Sequence, residues 1–304
     1  MPSFLALLPV PFVWGPVGGG ESAPHPFRRR LGLRGKLHEG LRSVARTLGE
    51  LNPFIRLGAQ RAALGLATTA ETEARLGRLG CRRVTVLSSV GLPAEEIFRL
   101  RAFPVRQGNP FRLASVGDLL HWKGFELGLR AFAGFKPGFP ASEYWIIGDG
   151  PERGRLQKLV RRLGVAPSVT FWGSIPRLQV LEKLRECDVL VHPSLHDSGG
   201  WVCVEAMAAG RPVICLDLGG PALQVTSETG IKVPAVSPDR TIRDLAAAME
   251  RVAVDPGLRA RMARAGRQRV LEQFNWEKKG EHLAALYAEV LRPKLKEAAG
   301  VLRV

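Results

Sequence analysis

From about residue 110 onward, short apolar runs alternate with longer stretches whose apolar positions recur every three or four residues. The runs Arg112–Val116, Tyr144–Ile147, Val169–Trp172, Val189–Val191 and Val213–Leu216 are continuous, as expected of strands with both faces covered. Between them, residues 125–135, 152–164, 176–187 and 203–209 carry helical spacing. Alternation at this interval predicts parallel β-α-β units, an α/β fold with helices on both faces of its sheet. In such sheets ligands bind beyond the carboxyl ends of the strands, and the glycine-rich and polar clusters of this chain fall at those ends. Residues 237–292 read as helices punctuated by Pro256 and Gly266. The last of them, after Phe274-Asn275-Trp276, spaces Leu283, Leu286, Tyr287 and Val290 along one face. At the other end, Phe4–Trp14 reads as a core strand. It is too short to span a bilayer and lacks the basic lead and small-residue cleavage site of a targeting segment.

The chemistry concentrates between His196 and Ile214. Asp197 and Glu205 stand eight positions apart, with Gly199 and Gly200 between them and a small, apolar helix following, closed by Gly210 and Pro212. A glycine-rich loop feeding a helix N-terminus aims several backbone N–H groups and the helix dipole at one point, which suits a phosphate. Flanking carboxylates accept hydrogen bonds from neutral hydroxyls, which suits ribose and sugar rings. Together they describe a pocket for a nucleotide-sugar.

This segment resembles the E-x7-E signature of glycosyltransferase family 4 and its relatives of the GT-B fold, written here Asp197-x7-Glu205. Ser115-Val116-Gly117 with Trp122-Lys123-Gly124-Phe125, then Ile147–Pro151, Val169–Gly173 and Cys187–Ser194, resemble the family's other motifs in their order. The resemblance covers roughly residues 110 to 292. It implies two Rossmann-like domains: an acceptor-side domain at 1–106, a nucleotide-sugar domain at 107–273, and at 274–304 a helix crossing back to the first domain, plus a tail. Residues 1–105 resemble only the later part of the family's first domain, from Trp14–Glu21 through Leu66–Thr69 to Val84–Gly91, so that domain is expected to be incomplete.

The resemblance also assigns roles. Lys123 matches the lysine that neutralises the departing diphosphate; the competing reading is a solvated surface lysine. The family's arginine position is held by Asp118, a carboxylate that repels a diphosphate unless it turns away. Glu205 matches the acid that accepts from ribose hydroxyls, or else is a helix-N-terminal acid favoured by the dipole. Asp197 matches the donor-sugar acid, one methylene shorter than the usual Glu, or else caps its loop. Gly117, Gly148, Gly150, Trp172, Gly173, His196, Ser198, Gly199, Gly200, Trp201 and Val202 complete the donor-binding set. His192 is expected to be a packed residue bonded to backbone. No residue pattern suggests a metal, and no cofactor is implied beyond the nucleotide-sugar substrate. The implied activity is retaining, metal-independent transfer of a hexosyl group from a UDP- or GDP-sugar. The alternatives are a binding protein that no longer transfers and, ranked lower, a sugar-nucleotide epimerase.

Charge adds a partner class. The 304 residues carry a net charge of +16, and those before Asn109 hold 16 basic against 7 acidic residues, or +9 of it. An anionic membrane surface or a diphosphate-linked lipid acceptor suits this better than nucleic acid, because the basic residues lack interleaved aromatics. A solvated basic face is the plainer reading. Cys81, Cys187, Cys203 and Cys215 have no metal-ligand spacing and read as small buried hydrophobes of a reducing compartment. The expected setting is cytoplasmic, peripheral to the inner face of the membrane.

Overall fold

The computed structural model describes residues 4–28, 32–106 and 108–301. Its first part runs β1 (Phe12–Val17), α1 (His25–Arg28), α2 (Leu33–Leu51), α3 (Pro53–Arg61), β2 (Ala62–Ala67), α4 (Ala70–Arg78) and β3 (Val84–Val86), then α5 (Ala94–Arg101). Its strands form a three-stranded parallel sheet in the order β1-β2-β3. The second part runs β4 (Arg112–Val116), α6 (Phe125–Phe135), β5 (Glu143–Ile147), α7 (Arg153–Arg162), β6 (Val169–Gly173), α8 (Arg177–Glu186), β7 (Val189–His192), α9 (Trp201–Ala208) and β8 (Val213–Leu216). It ends with α10 (Gly219–Gln224), β9 (Gly230–Val233), α11 (Pro238–Val254), α12 (Pro256–Gln273) and α13 (Trp276–Val301). Its sheet is parallel throughout, in the order β6-β5-β4-β7-β8-β9. The order reverses between β4 and β7, and the loops that leave those strands diverge to opposite faces there, opening a crevice.

The expected strands recur within a residue at each end. Successive residues supply the two faces of the second sheet, as the two-residue repeat of a strand requires. Leu113, Tyr144, Ile146, Val191 and Ile214 pack on one side with Phe132, Leu245 and Met249. Ala114, Trp145, Leu190 and Val213 pack on the other with Leu184, Met207 and Val270.

Two expectations fail for local reasons. Phe4–Trp14 is not a core strand: Phe4–Leu7 form a 3-10 turn, Phe4 is 84% exposed, and pairing begins only at Phe12. Pro9 and Pro11 lack the N–H that a ladder needs. Gly266 does not break a helix, because α12 runs straight through it. A Cβ there would lie 3.3 Å from that of Met207, so the glycine serves the close approach of α12 to α9.

The last helix joins the two sheets. Leu283, Leu286 and Val290 of α13 pack with Val13 of β1, Leu64 and Leu66 of β2, and Leu87. Lys279, near the start of α13, donates from Nζ to the Ser88 carbonyl. Leu286 is 6% exposed. Leu286→Ala is therefore expected to destabilise the fold by about 2–4 kcal/mol. An unchanged urea-unfolding midpoint would mean that α13 does not hold the first sheet.

Candidate active site

At the carboxyl ends of β4 and β5, glycines let two loops stack. Gly148 adopts φ +132, and a Cβ on it would lie 2.1 Å from the Gly117 carbonyl oxygen. A Cβ on Gly150 would lie 2.8 Å from that of Leu119. With no side chain between them, Gly117 N donates to Ile147 O at 2.9 Å, Leu119 N to Asp149 O at 2.8 Å, and Gly148 N to Gly173 O at 2.8 Å. Asp118 stands exposed on the first loop. Trp172, at the end of β6, is 37% exposed with Lys183 Nζ 4.2 Å above its ring.

The next turn carries the charge. His121–Lys123 is a 3-10 turn ended by Gly124 at φ +68, where a Cβ would fall 1.9 Å from the Pro193 carbonyl oxygen. This contact presses the turn against the loop after β7 and brings Lys123 Nζ 2.6 Å from Asp197 Oδ2. His192 Nε2 reaches the same oxygen at 3.2 Å. His192 thus bonds the site acid rather than backbone, which corrects the expectation above. Asp197 Oδ1 accepts from Gly199 N and Gly200 N, both at 3.1 Å, at the N-terminus of α9. Burial alone would raise the Asp197 pKa. The His192 hydrogen bond and charge, together with Lys123, outweigh it and hold the carboxyl well below the usual range. Asp197 stays ionised.

Glu205, on the first turns of α9, is 7% exposed, and burial pushes its pKa up against the pull of Arg177. Arg177 donates to Glu205 Oε1 from Nε at 3.1 Å and Nη2 at 2.6 Å. The same guanidinium pairs with Glu96 of α5, with Nη1 at 2.9 Å from Oε2. The Glu96 hydrogen bond, with Glu205 behind it, raises the Arg177 pKa. Cys203 is fully buried in the core: burial raises its pKa, and Cys215, then Asp197 and Glu205, add to the effect. Of the remaining donor-set residues, Val202 is buried in the core and Trp201 is 46% exposed beside Trp276.

A cleft of about 610 Å³ separates α2 from this constellation, with Arg42 and Leu41 on one wall and Lys123, His196 and Asp197 on the other. His196 turns away from the glycine loop towards α2. Its Nε2 lies 3.1 Å from Glu39 Oε1, and Arg42 Nη1 lies 2.7 Å from its Nδ1. Trp122 is sandwiched between His38 and His196, with centroids at 5.0 and 5.3 Å and both pairs 16° from parallel. The His196 hydrogen bond outweighs burial and lowers the Glu39 pKa from 4.5 to about 2. Farther along, Gly219 N donates to Glu71 Oε1 at 3.0 Å, a second tie across the cleft. Among the described residues His38, Glu39 and His121 bring ligand atoms within 4.8 Å of one another. A cation there would meet the Arg42 guanidinium and disturb the stacked rings, so the group is a poor metal site. Glu39, Arg42 and Arg177 belong to no sequence motif; the only signal for the first two is their helical spacing within a basic stretch.

The family described as glycosyl transferases group 1 matches residues 96–269, more than half of the chain. The chain belongs to this family. D-inositol 3-phosphate glycosyltransferase of Streptomyces bingchenggensis is 37% identical over 139 residues, covering 45% of this chain and 30% of that protein. Glycogen synthase of Mycobacterium tuberculosis is 31% identical over 185 residues, covering 60% and 44%. The chain thus spans less than half the length of these relatives. Among solved structures, sucrose-phosphate synthase from Thermosynechococcus elongatus superposes with a TM-score of 0.64 at 23% identity, over 90% of this chain and 67% of that one. Anabaena HepE, solved with UDP and glucose, gives 0.62 at 20% identity, over 92% and 72%. At these identities the likeness speaks for the fold, an α/β arrangement of parallel sheets shared with GT-B glycosyltransferases.

The Glu39 carboxylate gives the fold a defined acid limit. Its pKa is depressed in the folded chain, so its contribution is complete above pH 4.5 and is lost as pH falls towards 2. Glu39→Gln is expected to lower stability at neutral pH and to flatten the acid limb across that window, as read by urea titration at stepped pH. An unchanged acid limb would show that the carboxylate is not held by His196.

Proposed function

We propose that the chain transfers a hexosyl group from a UDP- or GDP-linked sugar to an acceptor hydroxyl, with retention at the anomeric carbon and without a metal. The observation that carries this reading is the Lys123–Asp197 pair at the N-terminus of α9, in the crevice where strand order reverses. Departure of the nucleoside diphosphate builds negative charge on phosphate oxygens. Lys123, held in place by an acid that stays ionised, offers a preoriented cation, and the α9 amides add their partial charges. Such fixed donors need little reorganisation as the bond breaks, which is why they lower the barrier. Glu205 accepts from the ribose hydroxyls by exchanging one of the bonds it receives from Arg177. Asp197, with His192 and the Gly199–Gly200 backbone, faces the sugar. Retention without a dedicated nucleophile implies attack from the side of the leaving group, with the leaving phosphate taking the acceptor proton.

The acceptor is a sugar or a lipid-linked sugar entering through the cleft beside α2. The names of the relatives support sugar transfer as the reaction class. The buried thiols Cys81, Cys187, Cys203 and Cys215 support a reducing, cytoplasmic setting. One observation favours a second reading, a nucleotide-sugar-binding protein without transfer: Asp118 stands where the family resemblance calls for arginine. Formation of a glycosylated product would dismiss that reading.

Calorimetric titration with UDP, GDP and ADP tests the pocket. One nucleotide is expected to bind, and Lys123→Ala and Glu205→Ala are each expected to weaken it by about tenfold or more, the scale of a lost charge-assisted hydrogen bond. Retention of full affinity in both variants would remove the pocket from this site. Asp118→Arg is expected to tighten the same nucleotide, since it replaces a repelling carboxylate with a cation. Unchanged or weaker affinity would show that residue 118 points away from the phosphates.

A further inference from the structure

We infer that the outward face of α2 docks on an anionic lipid bilayer and presents the cleft to an acceptor embedded in it. The inference rests on the glycosyltransferase reading only for the nature of the acceptor. The docking surface stands on its own geometry. Leu37, Leu41, Val44, Leu48 and Leu51 are 57–66% exposed and follow one another at alternating steps of four and three residues. They form one apolar row from Leu37 to the end of the helix, and Phe54, at the start of α3, is 64% exposed as well. Single exposed leucines are ordinary on soluble proteins, but a continuous row along a helix marks a surface that is covered in use.

Charge identifies the cover. Both acids of α2 are withdrawn from its exposed face: Glu39 is buried against His196, and Glu50 pairs with Arg75 at 2.7 Å. Lys36 and Arg56 remain exposed beside the row. The residues before Asn109 carry +9. A second copy of this face would bring like charge against like, whereas anionic headgroups meet the basic flanks as acyl chains meet the leucines. An apolar stripe with basic flanks and no free acid is the pattern of a helix lying in a membrane interface. Among the described residues no helix is long and apolar enough to cross a membrane, so the contact is peripheral.

The same helix borders the chemistry. Leu41 belongs to the exposed row and also lines the cleft, alongside Arg42 and Ala45 and opposite Lys123 and Asp197. An acceptor headgroup standing out of a bilayer under α2 would therefore enter the cleft without leaving its membrane.

Co-sedimentation with phosphatidylcholine vesicles, with and without phosphatidylglycerol, tests this on the whole chain. Binding is expected only with phosphatidylglycerol and should weaken as salt is raised. Leu37→Gln combined with Leu48→Gln should reduce it by about tenfold or more, because two exposed leucines lose their transfer into the interface. Neither residue lines the cleft, so nucleotide titration of that variant is expected to match the unsubstituted chain and to certify its fold. Absence of vesicle binding, equal binding to both vesicle types, or full binding by the double variant would overturn the inference. So would a dimer in sedimentation velocity that the double variant dissolves, because a second copy would then cover the row. Vesicle binding by a chain that binds no nucleotide would refute the glycosyltransferase reading and leave the docking surface intact.

Discussion

Asp197 is the point on which the site turns. One carboxylate receives a lysine from the turn after β4, a histidine from the end of β7, and two backbone amides from the start of α9. Taking a carboxylate out of water is unfavourable unless its lone pairs are occupied, and here all of that occupancy comes from the loops whose positions matter. Remove the acid and Lys123 is left half-buried beside a helix dipole of its own sign, while the amides of α9 lose their cap. The turn after β4 and the two ends of the β7–α9 loop, already in contact through Gly124 and Pro193, are therefore bound to one buried charge.

The two sheets are related by a second set of polar contacts, and these too meet the acidic loop. Glu39 and Arg42 reach His196, Glu71 reaches Gly219, and the Trp122 ring is clasped between histidines from opposite walls. On the far side, α13 seals the pair with aliphatic packing. A polar seam beside the pocket and an apolar seam behind it divide the labour. Packing sets the distance between the sheets, and the hydrogen bonds set which surfaces look into the cleft.

Much of this was legible in the chain. Strands buried on both faces announce themselves as unbroken apolar runs, and β5, β7 and β8 are legible to within a residue because water reaches neither side of them, whereas β6, an edge strand with Thr170 and Trp172 exposed, is legible through its β-branched and aromatic residues. The glycine turns were legible because only a residue without a Cβ tolerates the contacts at Gly124 and Gly148. Lys123, Asp197 and Glu205 were legible through their resemblance to a family pattern. Tertiary partners were not. Nothing near Arg177 marks it as the counter-ion of Glu205, since the two lie 28 residues apart and meet only when α8 and α9 pack on the sheet. Glu39 sits in a basic stretch that reads as solvated surface and is instead a buried acid among histidines. Gly266 and the segment before Phe12 misled for the opposite reason: a glycine and an apolar run each have more than one use, and the neighbours decide which.

The guanidinium of Arg177 is shared between α9 and α5, the helix that lies between the two sheets in the chain. Any ligand that competes for Glu205 alters one half of that shared charge and leaves Glu96 to hold the other. Occupancy of the pocket and posture of the connecting helix are thereby variables of a single equilibrium, and linkage makes the influence mutual. In the reading proposed above, where a ribose takes one of those bonds, whatever shifts α5 changes the grip on the nucleotide by the same factor that the nucleotide changes the setting of α5.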